Sequence, residues 1–232
     1  MCTVTLKELP YWWQRLRHLS VEDILSTLDN DFPGKVGVIS AFGYSGVVLL
    51  HHIYRLGVHI DVYFIDTGYH FPETIKLARD IEDRWNLNVK WVRLDNPLRD
   101  YLTSTFTEKP WDVNANICCH YCKVEPLLRI LPEKVAWLSA LRRDQSYSRS
   151  SIDIAEIDGR GFFKVYPMAY WTRKQTWKYI SDHDLPYNSL YDQNYASIGC
   201  MPCTVPVELG GDERDGRWKL SQKMECGIHL HK

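Results

Sequence analysis

Six of the seven cysteines fall into three groups, and thiols so grouped are where this chain could do chemistry. Cys118, Cys119 and Cys122 crowd one stretch, Cys200 and Cys203 bracket Met-Pro, and Cys226 stands in Glu-Cys-Gly-Ile-His. Two thiolates from each of the first two groups would complete the shell of a zinc ion or an iron–sulfur cluster. Cys119-x-x-Cys122 with Cys200-x-x-Cys203 suits zinc, whereas Cys118-Cys119 with the same second pair suits a 4Fe–4S cluster. Spacing leaves both open, because on a helix Cys122 shares a face with Cys118 and Cys119. Cys226 is set apart. Gly227 gives its backbone freedom, Glu225 would raise its pKa, and a cationic neighbour would lower it. The pattern predicts one metal centre and one mobile nucleophile, with Cys2 in neither.

Three arginines could serve an anion. Arg142, Arg143 and Arg149 follow a predicted strand, where guanidinium groups suit phosphate or sulfate better than a core or an ordinary turn. Arg214 and Arg217 are interleaved with acids and by themselves read as surface ion pairs. The loop Ser40-Ala-Phe-Gly-Tyr-Ser-Gly46 joins a strand to a helix, so its N–H groups and the helix dipole are placed for an anion. It lacks the Gly-Lys-Ser/Thr of a Walker A loop. His51, His52, His70 and His183 read as surface or packing residues, because no pair has a ligand spacing with a carboxylate.

Strands are needed to bring these residues together. Lys35–Ser40, Ile60–Ile65, Asn88–Arg93 and Lys134–Ser139 are short apolar runs, and helical patterns follow residue 46 and span Pro72–Trp85. Ahead of them, Trp12, Leu16 and Leu19 recur at helical spacing, and Ser20 is predicted to cap the next helix. Alternation of this kind implies an α/β fold with a mainly parallel sheet covered on both faces. Ligands in such sheets bind beyond the carboxyl ends of the strands, where Ser40–Gly46, Asp66–Gly68 and Ala140–Arg149 would all sit. Past about residue 186 the rhythm fades into turns and cysteines.

Composition narrows the partners. Lys+Arg total 28 against 29 Asp+Glu, so no overall field recruits nucleic acid or an anionic membrane. No run approaches the roughly 20 apolar residues of a membrane span. The charged N-terminal stretch lacks a signal peptide's apolar region, which predicts a cytoplasmic protein. There a disulfide framework is not expected, and clustered cysteines read as metal-binding or catalytic.

Taken in order, these segments resemble the assimilatory sulfonucleotide reductases, the adenylyl-sulfate (APS) and phosphoadenylyl-sulfate (PAPS) reductase family. The likeness runs from Ser40-x-Phe-Gly through Asp66-Thr-Gly-Tyr-His-Phe-Pro-Glu-Thr, Cys118-Cys119 with Lys123, and Arg142-Arg-Asp-Gln-Ser. It continues in Pro167-Met-Ala-Tyr-Trp-Thr, Leu185-Pro-Tyr-Asn-Ser-Leu-Tyr-Asp, Ser197-Ile-Gly-Cys-Met-Pro-Cys-Thr, Gly216-Arg-Trp and Glu-Cys-Gly-Ile-His-Leu. It implies an adenine-nucleotide α-hydrolase-like fold with a modified pyrophosphate loop at residues 40–46. That loop lacks the Mg²⁺-binding Asp of relatives that cleave ATP, and Tyr44 and Ser45 stand where APS reductases commonly carry acids. A nucleotide-binding domain over residues 1–217 and a mobile tail over 218–232 are expected.

The resemblance further implies that Cys226 attacks the sulfate sulfur of bound APS, and that thioredoxin or a glutaredoxin-like dithiol resolves the S-sulfocysteine. Cys118, Cys119, Cys200 and Cys203 would then hold a 4Fe–4S cluster, with Cys122, where relatives often have arginine, either a spare thiol or a competing ligand. Lys123, Arg143, Arg149, Arg214, Arg217 and His229 would meet the phosphosulfate. Ser40, Phe42, Gly43, Ile65, Thr67 and Gly68 would line the nucleotide pocket. PAPS reduction or dual use is the alternative, the cysteine pairs favouring APS. An ATP-dependent thiolation enzyme and a non-catalytic zinc domain are the further readings. A homo-oligomer is compatible with the family.

Overall fold

The computed structural model describes residues 4–208, 212–218, 223 and 225–229. The expectation for Cys2, and part of that for the 218–232 tail, lies outside the described residues.

Two helices lead into the sheet. α1 (Leu9–Leu16) buries Trp12 and Leu16, whereas Leu19 falls past its end and is exposed. α2 (Val21–Asp31) starts where Ser20 Oγ accepts the Asp23 N–H at 3.0 Å, the expected cap. Then β1 (Val36–Ile39), α3 (Tyr44–Leu56), β2 (Asp61–Asp66), α4 (Pro72–Trp85) and β3 (Val89–Arg93) follow in alternation. α5 (Asn96–Phe106), α6 (Pro110–Val113) and α7 (Ala115–Cys119) lead through a wide π-helical turn, His120–Val124, into α8 (Glu125–Ile130). β4 (Ala136–Leu138), β5 (Ala155–Ile157), β6 (Phe163–Val165) and α9 (Arg173–Asp182) complete the regular elements.

The six strands are ordered β3-β2-β1-β4-β6-β5. All neighbours run parallel except β5, which pairs antiparallel with β6 at the edge. Alternate residues face opposite layers, as the pleat requires. Val62 and Phe64 join the large core that takes in α1–α4 and α9, whereas Tyr63, Ile65 and Trp137 pack with Leu127 and Ile130 of α8. Both faces are therefore covered, which is the α/β architecture expected.

The β5–β6 hairpin was not anticipated. Each strand has three residues, and β6 carries Lys164 fully buried, so neither shows the apolar run that marks a parallel strand. Sequence order reverses between β1 and β4, whose carboxyl ends flank the crevice where such sheets bind ligands. Among the described residues no helix is long and apolar enough to cross a membrane.

Candidate active site

A cavity of about 190 Å³ opens at that crevice. Ile39 and Ser40 line it from β1, Ile65 from β2, and Ser139–Leu141 from the end of β4. The first turn of α3 forms its floor, with Gly43 as N-cap. Ser40 Oγ accepts the Phe42 N–H at 3.1 Å and lies 2.7 Å from where a Cβ on Gly46 would stand. Only glycine lets the helix start so close to the strand end. The α3 N-terminus consequently offers its dipole to the cavity.

Phe42 does not line this space. At φ +54° it turns its ring into the core, edge-on to Phe64 at 5.3 Å. Thr67 and Gly68 are also outside the wall: Thr67 Oγ1 lies 3.4 Å from Cys200 Sγ, and Gly68 N–H donates to Asp66 Oδ1. That turn supports a cysteine instead of touching the cavity. Gly43 and Ile65 sit where expected.

The two adjacent arginines part company. Arg143 stays outside, bonded to the Ile152 carbonyl, 3.6 Å from Asp153 and 4.7 Å over the Tyr170 ring. Arg142 is 0 % exposed, contrary to the expectation that none belongs in a core. Its Nη2 donates to Tyr44 Oη at 2.6 Å and Glu213 Oε2 at 3.0 Å, its Nε to Asp144 Oδ1 at 2.9 Å, and its Nη1 to Ser45 Oγ. Tyr44 Oη also donates to Glu213, and its ring stacks on Trp177. Burial raises the Glu213 carboxyl, with Arg142 opposing. The Tyr44-Ser45 sequence is thus the partner set of a buried guanidinium.

Arg149, Arg214 and Arg217 do reach the cavity, as does His229. Arg149 and Arg214 both hold Glu225, from Arg149 Nε to Oε1 at 2.7 Å and from Arg214 Nη2 to Oε2 at 3.2 Å. Arg214 is therefore no surface ion pair. Burial, then the charge of Arg149, pulls it down to about 10. Arg217 lies over Trp218 at 4.4 Å, with Nε toward the Cys203 carbonyl. His70, expected only to pack, is also in the wall; its Nε2 lies 3.1 Å from the Ile65 carbonyl, and burial lowers its pKa toward the neutral ring.

Cys226 enters the same cavity beside Lys123. Burial pushes its thiol up, but Lys123, the Ile228 N–H and Arg217 outweigh burial and Glu225, leaving it below the ordinary cysteine value. Lys123 is buried on the wide turn, with Nζ 3.8 Å from Cys119 Sγ. Burial opposes its charge, yet the thiols of Cys200, Cys226 and Cys119 raise it above an ordinary lysine.

Behind Lys123 lies a second, smaller cavity lined by Cys118, Cys119, Cys122, Cys200 and Cys203, with Tyr69, Trp111 and Pro202. All five thiols are free of disulfides. The π-helical turn lets Cys118, Cys119, Cys122 and Lys123 face one side, a distortion typical of functional sites. Thr67 and the Tyr69 carbonyl, which accepts the Met201 N–H at 2.7 Å, bring the second cysteine pair up against it. Among the described residues no three His, Cys, Asp or Glu side chains are placed to share a single ion.

The sequence did not point to Arg142 with Glu213, to His70, or to the Glu225 clamp. Each depends on partners distant along the chain.

A family model described as the phosphoadenosine phosphosulfate reductase domain matches residues 35–206. The chain is 40% identical to an adenosine 5'-phosphosulfate reductase of Salinibacter ruber over 89% of its own length and 82% of the relative's. To one of Bacillus cereus it is 39% identical, over 94% of this chain and 97% of that one. Among solved structures it is similar to the phosphate complex of phosphoadenylyl-sulfate reductase from Candida auris. There the TM-score is 0.77 and the identity 26%, covering 88% of this chain and 99% of the other. A match that runs from β1 through the second cysteine pair, with relatives this similar along nearly the whole length, shows that the protein belongs to the phosphoadenosine phosphosulfate reductase family.

Proposed function

We propose that this oxidoreductase converts adenylyl sulfate to sulfite and AMP. One observation carries the reading: a thiol held below its ordinary pKa, Cys226, shares a strand-end cavity with Lys123, Arg149, Arg214 and Arg217. The curated relatives are named for this nucleotide.

In the first step the Cys226 thiolate attacks the sulfate sulfur. An S–S bond forms, the S–O bond to AMP breaks, and the electron pair leaves with the phosphate oxygen. Lys123, Arg217 and the α3 N-terminus surround the anions and offset charge on the departing phosphate. In the second step a thioredoxin- or glutaredoxin-like dithiol attacks the Cys226 sulfur of S-sulfocysteine. Sulfite leaves with the S–S bonding pair, and the second thiol of the partner frees Cys226 as the dithiol becomes a disulfide. The two electrons come from that dithiol. For the partner to reach Cys226, the described segment 225–229 withdraws from the cavity between the steps.

The second cavity has a donor set that fits a 4Fe–4S cluster. Free thiols, all buried except the half-buried Cys203, line a shared space, and a four-iron cube takes one thiolate per iron. Cys118, Cys119, Cys200 and Cys203 would hold it. When bound it would supply a fixed charge distribution behind Lys123. Lys123 itself lines both cavities, with Nζ 3.8 Å from Cys119 Sγ, and so links the thiols to the space that Cys226 enters.

The test is incubation with adenylyl sulfate and no reductant, followed by mass spectrometry of the Cys226 peptide. A sulfonate gain of roughly 80 Da is expected. AMP release without that adduct overturns the reading. Sulfite release with thioredoxin, compared between adenylyl and phosphoadenylyl sulfate, decides the nucleotide, the second being the substrate in the name of the Candida auris neighbour.

A further inference from the structure

The β5–β6 hairpin breaks the parallel pattern of the sheet, and it presents two cations to the Cys226 segment. Its turn is built by Asp158, whose Oδ1 accepts the Arg160 and Phe162 N–H groups at 2.9 and 3.1 Å, with Gly161 at φ +88°. Arg160 is thereby aimed outward from a fixed turn and pinned at 3.5 Å to the buried Asp158 carboxylate. Its guanidinium donates to the Ile228 carbonyl at 3.1 Å and to the Gly227 carbonyl.

Four positions on, in β6, Lys164 is 0 % exposed, an expensive position for a lysine unless partners hold it. Its Nζ lies 3.2 Å from His229 Nδ1, 3.7 Å from Glu156 and 4.4 Å over the Trp137 ring. His229 stacks parallel to that same indole, 8° between planes. Ile228 packs beside Phe162 on the apolar cluster of Ile65, Leu127 and Trp137. Gly227, at φ +85°, makes the bend that Cys226 needs to turn back toward Lys123.

We propose that Arg160 and Lys164 are positioning residues, which seat Gly227–His229 against the hairpin and thereby hold the Cys226 sulfur over the anion site. Neither touches the reacting atoms. Arg149 and Arg214 grip the other side through Glu225, so the nucleophile is suspended between two anchors. The hairpin anchor consists of backbone carbonyls and one ring, and it does not depend on which anion fills the cavity. The proposal rests on Cys226 being the nucleophile.

The test compares Arg160→Gln and Lys164→Met with wild type by hydrogen exchange in the whole protein without nucleotide, followed by adduct formation in a single turnover. The amides of residues 226–229 are expected to exchange about tenfold faster, the loss of roughly one charge-assisted hydrogen bond. The β4 amides should stay protected. The rate of S-sulfocysteine formation should fall by a similar factor, with AMP affinity unchanged. Because a substitution in β6 can disturb the sheet, His229→Phe removes the Lys164 contact from the tail side and should speed exchange alike. Unchanged exchange at residues 226–229 in Arg160→Gln and His229→Phe, with β4 protected, overturns the anchor. Faster exchange in proteins whose wild type forms no adduct overturns the functional reading and leaves the anchor standing.

Discussion

Arg149 grips Glu225 with two parallel hydrogen bonds, Nε to Oε1 at 2.7 Å and Nη2 to Oε2 at 3.0 Å. This bidentate pair joins the strand-end loop to the residue preceding Cys226. The carboxylate takes the place on the guanidinium that a sulfate or phosphate would take.

Glu225→Gln should therefore free the arginines for substrate. AMP affinity is expected to tighten by about three- to tenfold, the worth of one partly exposed charged bond. The adduct-forming rate should fall, because Cys226 loses one of its anchors. Calorimetric titration with AMP checks the first, and single-turnover mass spectrometry the second. Unchanged AMP affinity would show that Arg149 and Arg214 serve the tail alone.

Lys123 is the first of the charges that lower the Cys226 pKa. The thiolate is the reactive form and prevails above that pKa. Removing the ammonium in Lys123→Met should move the midpoint of Cys226 alkylation to higher pH and slow alkylation at neutral pH. Rates with iodoacetamide across pH, read on the Cys226 peptide, measure the shift. A midpoint that stays in place assigns the depression to Arg217 and the Ile228 N–H.

Five thiols line the cavity in which the proposed cluster would use four. Serine at Cys118, Cys119, Cys200 or Cys203 should abolish bound iron and the absorbance near ~400 nm expected of a thiolate-held cluster. Cys122→Ser should keep both. Full loss of iron in Cys122→Ser, with retention in Cys118→Ser, would exchange the two roles. A colourless zinc protein would exclude the cluster.

Arg142 and Glu213 are a buried ion pair completed by Tyr44. Arg142→Met strands the Glu213 carboxylate in the interior and should cost on the order of 3–5 kcal/mol. Adding Glu213→Leu should restore part of that loss, since no unpaired charge remains. Denaturant midpoints of the single and double variants give the coupling. The floor of the cavity is also affected, because Tyr44 and Ser45 begin α3.

Much of the frame was legible in the chain. The first four strands are apolar runs punctuated by helical patterns, and a parallel sheet is what such alternation packs into. Its switch point then gathers Ser40, Ile65 and the β4 loop without further information. The cysteine groups were legible too, because thiols are rare and their spacing is short-range. β5 and β6 were not, since strands of three residues with a buried lysine lack periodicity.

What only the tertiary structure decided is direction and pairing. Arg142 and Arg143 are neighbours of identical chemistry, yet Arg142 is the extended residue capping a short 3-10 turn and Arg143 is the first residue of that turn, so one enters the core and the other the surface. Glu225 meets Arg149, and Lys164 meets His229, across 76 and 65 positions of sequence. Local composition carries no trace of such contacts. By itself the sequence determined which groups are available for the chemistry, because residue type sets charge and nucleophilicity. Packing decided which of them face Cys226, because that depends on how the sheet edge and the tail come together in space.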